Sequence, residues 1–212
     1  SALASVRTVM DDELVRESMK PYVRELVANQ LHRLGWEPKA KESHFDKLLR
    51  PTILSMAAIA DEPAVVQTCL QLFSTLEHGG KLHPDVRAVV YMTAARYGDK
   101  EVFDKLFSLH NETHSSEERV TLSAALLAFK QSSLIDKAIA LIPTDTVRLQ
   151  DVGYWLAYGF GNRFAKLSMW EWVINNWGWL EKNLGTDIGF FHIPLYVARS
   201  FSNKEFIKEY QR

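Results

Sequence analysis

The sequence predicts an all-α protein, an irregular superhelix of antiparallel helix pairs, on three observations. Apolar residues recur at helical spacing, as in Val102, Phe103, Leu106 and Phe107, or Trp170, Val173, Ile174, Trp177 and Leu180. Helix-start signals return at short intervals, and no stretch alternates apolar and polar residues as a half-buried strand would. Between Pro63 and Tyr97, and again between Asp99 and Lys130, one helix pair occupies about 32 to 35 residues, the period of α-solenoid repeats.

Taken in order, the pattern places helices at 10–34, 45–60, 62–77, 84–97, 99–110, 116–130, 132–142, 148–160, 165–183, 187–200 and from 203 onward. The polar stretch Glu37 to Ser43 is a loop of ordinary connection length. Asp61-Glu62-Pro63 offers a side-chain acceptor and an early proline to start one helix, and His83-Pro84-Asp85 starts another. Ser115-Ser116-Glu117-Glu118 reads as a capping box. Gly159-Phe160-Gly161-Asn162 ends a helix in a turn; it follows no strand and carries no Lys-Ser/Thr, so it is not a phosphate-binding loop. No Ser/Gly/Pro-rich linker divides the chain, so residues 1–212 are expected to form one domain.

Composition bounds the function classes. Of 212 residues 47% are apolar and 24% charged, which excludes wholesale disorder. Lys plus Arg number 25 against 26 Asp plus Glu, so no net field attracts nucleic acid or an anionic membrane, and neither is expected as a partner. The longest apolar runs are far shorter than a membrane span of roughly 20 residues. One cysteine, Cys69, makes neither an internal disulfide nor a structural zinc site; with no visible signal segment, this points to the cytoplasm. The start at Ser1 reads as the boundary of a piece cut from a longer protein.

Chemistry-bearing residues are few. His110-Asn111-Glu112-Thr113-His114 places two histidines four apart, but a zinc peptidase helix needs the carboxylate directly after the first histidine, and here Glu112 is one place late. Cys69 sits in an apolar run and reads as a small hydrophobe. Five of the six tryptophans fall between Trp155 and Trp179. Trp170 and Trp177 share the face of Val173 and Ile174 and are expected in the core, while Trp172 and Trp179 take another face. Arg148-Leu149-Gln150-Asp151 opens a helix, where Asp151 favours the dipole and Arg148 has Asp145 and Asp151 as neighbouring ion-pair partners.

Four further segments carry a resemblance. Leu49-Arg50-Pro51-Thr52-Ile53-Leu54, His83-Pro84-Asp85-Val86-Arg87 with Val90-Tyr91, Val147-Arg148-Leu149-Gln150-Asp151, and Trp170-Glu171-Trp172-Val173-Ile174-Asn175-Asn176-Trp177 resemble, in order and spacing, the C-terminal domain of puromycin-sensitive and endoplasmic-reticulum-type zinc aminopeptidases. The resemblance implies a HEAT/armadillo-like α-α superhelix that closes over a catalytic domain lying upstream of Ser1. It implies that zinc belongs to that parent enzyme, with no catalytic residue, metal ligand or cofactor in this chain. It further implies that the concave surface encloses a chamber and contacts the distal part of a peptide substrate, with Arg148 and Gln150 as substrate-binding residues. The expected partners are therefore the protein's own catalytic domain and peptides. The alternative is a stand-alone helical-repeat scaffold that binds a protein on its concave face.

Overall fold

The computed structural model describes residues 13–187 and 189–201. Among these residues there are eleven α-helices, three short 3-10 turns and no strand. The helix expected from 203 onward lies outside the described residues. Two compact units emerge, one ending at Gly98 and one beginning at Asp99.

The first unit holds α1 (Glu13–Leu34), α2 (His44–Ile59), α3 (Pro63–Thr75) and α4 (Pro84–Tyr97). α1 packs on α2, α2 on α3 and α4, and α3 on α4. The α1–α2 pair is antiparallel: Arg33 near the end of α1 pairs with Asp46 near the start of α2, whereas Arg24 reaches back to the carbonyl of Ala60. Ser43 caps α2 by accepting the Asp46 amide, and His83 caps α4 by accepting the Asp85 amide through Nδ1. At α3 the expected proline start is present, but no acidic side chain caps the helix. Asp61 instead turns to φ +53° and gathers Lys20 Nζ at 2.6 Å, the Tyr97 hydroxyl at 2.5 Å and the Arg96 guanidinium. Burial alone would raise its pKa, but these donors and cations outweigh that effect and hold the carboxyl below the usual range.

The second unit holds α5 (Lys100–Glu112), α6 (Ser116–Leu126), α7 (Ser132–Ile139), α8 (Val152–Gly161), α9 (Lys166–Asn175), α10 (Trp177–Leu184) and α11 (Ile193–Ser200). Asp99 caps α5 through the amides of Glu101 and Val102, and Ser115 caps α6 through the Glu118 amide. α8 lies at the centre, packed on α6, α9 and α11, while α5 pairs with α6 and α7 with α9. The core is built from Phe103, Leu106, Leu122, Phe129, Ile135, Trp155, Leu156 and Phe160. Each such side chain contributes about 1.5–3 kcal/mol on burial. Asn162, just past α8, donates from Nδ2 to the carbonyls of Leu127 at 2.7 Å and Phe129 at 2.8 Å, which satisfies chain ends left open where α6 stops.

Two expected helices are corrected, and the one placed at 187–200 begins only at Ile193, after the 3-10 turn Phe190–His192. Residues 165–183 do not form a single helix, because α9 ends at Asn175 and α10 restarts at Trp177 across Asn176. The face assumed for Trp170 and Trp177 is therefore broken. Trp177 is 39% exposed and leans on Phe190, and the core positions go to Met169, Val173, Leu180 and Leu184. Trp172 and Trp179 meet edge to face at 6.1 Å.

The tightest approach in this unit is between Gly159 and Met169, since a Cβ at Gly159 would lie 2.1 Å from the Met169 Cε and 3.2 Å from its Cγ. Met169 is fully buried, so it has little room to retreat. Gly159→Ala is expected to destabilise the chain by about 1–3 kcal/mol. Urea unfolding checks this, and Gly153→Ala, where a Cβ meets nothing within 4 Å, serves as the control on the same helix.

Candidate functional site

The sequence-predicted site residues fall on one turn. Val147 is buried and anchors the approach; Arg148 is extended (φ −64°, ψ 141°); Leu149–Asp151 then form a 3-10 turn that runs directly into α8. The turn closes through the Asp151 amide, which donates to the Arg148 carbonyl at 2.8 Å. Arg148 Nε donates to Asp151 Oδ2 at 2.6 Å, so of the two acidic neighbours the structure selects Asp151.

Exposure is divided unequally across this pair. The Asp151 side chain is 8% exposed and that of Arg148 38%. Leu149, 48% exposed, and Gln150, also exposed, share the turn. Among the described residues, nothing hydrogen-bonds to the terminal nitrogens of Arg148 or to the Gln150 amide. The turn thus presents a guanidinium edge, an amide and an apolar side chain to solvent, above a buried carboxylate. A guanidinium edge supplies charged donors, and an amide supplies both a donor and an acceptor.

His110, Ser123 and Trp155 are buried together with the partly buried Arg119 beside them, close enough to Asp151 and Arg148 for their charges to act on His110. Ser123 Oγ spends its proton on the Arg119 carbonyl at 2.9 Å, so the 3.2 Å contact between Ser123 Oγ and His110 Nε2 has the histidine as donor. That tautomer leaves Nδ1 as an acceptor, and it has no partner in its buried position; the Trp155 indole nitrogen is in the same condition. The two rings meet edge to face at 5.9 Å. Arg119 donates to the carbonyls of His110 at 3.1 Å and Thr113 at 2.6 Å, tying the end of α5 to the start of α6.

The two histidines of His110-Asn111-Glu112-Thr113-His114 do not make a metal site. His110 is 1% exposed and engaged with Ser123, whereas His114 is exposed in the loop beyond α5, and Glu112 accepts from Ser108. Among the described residues no three His, Cys, Asp or Glu side chains gather to hold a metal. Cys69 is fully buried, and burial pushes its thiol up to about 11, far from the range of a nucleophile.

Sequence reasoning missed one buried polar pair and one partly buried carboxylate. Glu42, in the loop read only as a polar connection, pairs inside the first unit with Arg50, which is fully buried and also donates to the Leu34 carbonyl at 3.4 Å. Asp61 was assigned to a cap and serves three other helix positions instead. The only advance signal was an arginine, Arg50, placed among apolar residues on an otherwise buried face of α2.

An array of antiparallel helix pairs with a polar, solvent-facing turn at Arg148–Asp151 is the class these features define. The chain belongs to the ERAP1-like C-terminal domain family, whose model matches residues 1–212. It is similar to aminopeptidase 2 of Candida albicans (28% identical, covering 80% of this chain and 19% of that protein). It is also similar to aminopeptidase N of Lactobacillus delbrueckii subsp. lactis (28% identical, 92% and 23%) and to aminopeptidase A of Gloydius brevicauda (29% identical, 82% and 18%). The chain therefore spans about a fifth of the length of the curated relatives it matches.

Burial pushes the His110 pKa down from its ordinary 6.5, an effect that the charges of Arg119 and Arg148 reinforce and that Asn111 and the Asp151 charge oppose. A histidine depressed on folding leaves the unfolded chain holding more protons, so its contribution to stability is intact above about pH 6.5 and is lost as pH falls below that value. Denaturant melts at pH 7.5, 6.5 and 5.5 should show stability declining across this window. In His110→Gln, less stable by about 1–3 kcal/mol at pH 7.5, the decline should flatten.

Proposed function

We propose that this chain is the C-terminal domain of a zinc-dependent aminopeptidase that removes N-terminal residues from peptides, and that its share of the work is binding and enclosure. What carries the reading is the family match over residues 1–212, together with relatives named aminopeptidase 2, N and A. Zinc and the residues that use it belong, in this reading, to the catalytic domain outside this chain, which the present domain caps. Its inner surface closes the substrate chamber, and the chemistry of the Arg148 turn suits the distal part of a peptide.

Arg148 and Gln150 supply the recognition. A guanidinium meets a peptide carboxylate or carbonyl through charge-assisted hydrogen bonds, and an amide meets backbone donors and acceptors equally well. Support comes from the 38% exposure of Arg148, which its bond to Asp151 leaves open to solvent. Contacts made by the remote part of a substrate lower its free energy in the site without taking part in bond cleavage.

Length dependence is the test. In the full-length enzyme, Arg148→Ala should lower kcat/KM for peptides of about ten residues roughly fivefold, the upper worth of a partly exposed charge pair, and leave dipeptide-sized reporters within about twofold. The ratio of the two substrates cancels any loss of folded enzyme. Equal effects on both lengths would remove Arg148 from the substrate path.

A further inference from the structure

We propose that Asp151 is a positioning residue, which holds the Arg148 guanidinium in the orientation that receives a peptide carboxylate. This rests on the reading of Arg148 as substrate-binding and names both the ligand chemistry and the group that prepares the site.

The carboxylate of Asp151 is 8% exposed at the foot of α8, and Arg148 Nε is the one side-chain donor that reaches it among the described residues. It makes no capping bond to the α8 amides. A buried carboxylate with a single hydrogen-bonding partner is costly unless that partner stays in place, so the pair holds together. The bond uses Nε, which fixes the guanidinium plane along one side. Nη1 and Nη2 remain without a hydrogen bond among the described residues, on a side chain 38% exposed. Two parallel N–H groups on one planar edge match the two oxygens of a carboxylate.

Such anchoring has an energetic consequence for binding. A free arginine surrenders about 2 kcal/mol of rotamer freedom when it is immobilised. Arg148 has already surrendered much of it to Asp151, and a ligand that meets a preorganised group keeps more of its interaction energy as affinity. The inner half of the pair is negative and buried, the outer half positive and exposed, so the turn selects anions although the pair is neutral overall. Leu149 and Gln150, beside it, accept the apolar and amide parts of the same peptide.

Two sources supply this chemistry, the free C-terminus of a peptide and an Asp or Glu side chain within it. Isothermal titration of the 212-residue chain with three forms of one decapeptide distinguishes them: neutral with a free C-terminus, neutral and amidated, and amidated with one internal Glu. At least one carboxylate form should bind about fivefold more tightly than the neutral amide, and which form does so identifies the source. Asp151→Asn keeps the shape and removes the charge that holds Nε; it should erase that preference and leave the neutral amide within about twofold. Asp151→Glu retains the charge, protects against loss of the fold, and should give an intermediate preference. Thermal melts of each variant confirm that folded protein is being titrated. If Arg148→Ala abolishes the preference and both Asp151 variants keep it, the positioning role is overturned and the substrate role of Arg148 stands. If Arg148→Ala binds all three peptides as the unaltered chain does, both are overturned.

Discussion

In the second unit everything is arranged around the burial of α8. Ten residues with Val152, Trp155, Leu156, Gly159 and Phe160 turned inward cannot stay helical in water at low cost, so α6, α9 and α11 have to cover them. Gly159 lets Met169 of α9 approach more closely than any side chain would. Asn162 ties the far end of the helix to the end of α6, and the Arg148–Asp151 turn supplies its beginning. The Arg148 turn is therefore held by the core helix itself. Rigid support of this kind is what a binding group needs if its geometry is to survive thermal motion.

Both units place charge inside and balance it locally. Arg50 and Glu42 are almost fully buried together, while Asp61 collects two cations and a phenol from α1 and α4. A buried pair such as Arg50–Glu42 contributes little net stability against an apolar replacement, since desolvation offsets most of the attraction. Losing one partner is another matter, because the charge left behind is neither hydrated nor paired. Such groups act as locks on geometry: Asp61 is satisfied only when α1, α4 and the α2–α3 corner stand in one arrangement. Asp151 belongs to the same class with one difference, that its partner keeps an open edge to solvent.

The division of labour within the family reading follows from these residues. Of the chemistry-bearing residues singled out in the sequence, His110 is engaged with Ser123 and Cys69 is silenced by burial. The Arg148 turn leaves a guanidinium edge and an amide open to solvent. Groups of that kind give affinity and orientation, the contribution that the proposed function assigns to this domain.

Sequence alone determined the all-helical class, most helix boundaries, the Ser115 and His83 caps, the turn after α8 and the burial of Cys69. These depend on local spacing and backbone chemistry, which the order of residues encodes directly. The landmark Val147-Arg148-Leu149-Gln150-Asp151 was legible as well, together with the two acidic neighbours that compete for Arg148. Tertiary structure decided which of them won, because only the start of α8 brings Asp151 beneath the guanidinium. It also decided that Asp61 serves a corner of four helices and not a cap, that Glu42 goes inside with Arg50, and that the helix predicted across Trp170 and Trp177 breaks at Asn176. Each of these depends on groups 8 to 41 residues apart meeting, from Glu42–Arg50 to Lys20–Asp61, or on the burial of Met169 and Leu180 outweighing a periodic pattern. Long-range pairing and competition for the core are settled by packing, and one stretch of sequence carries no record of the surface it will meet.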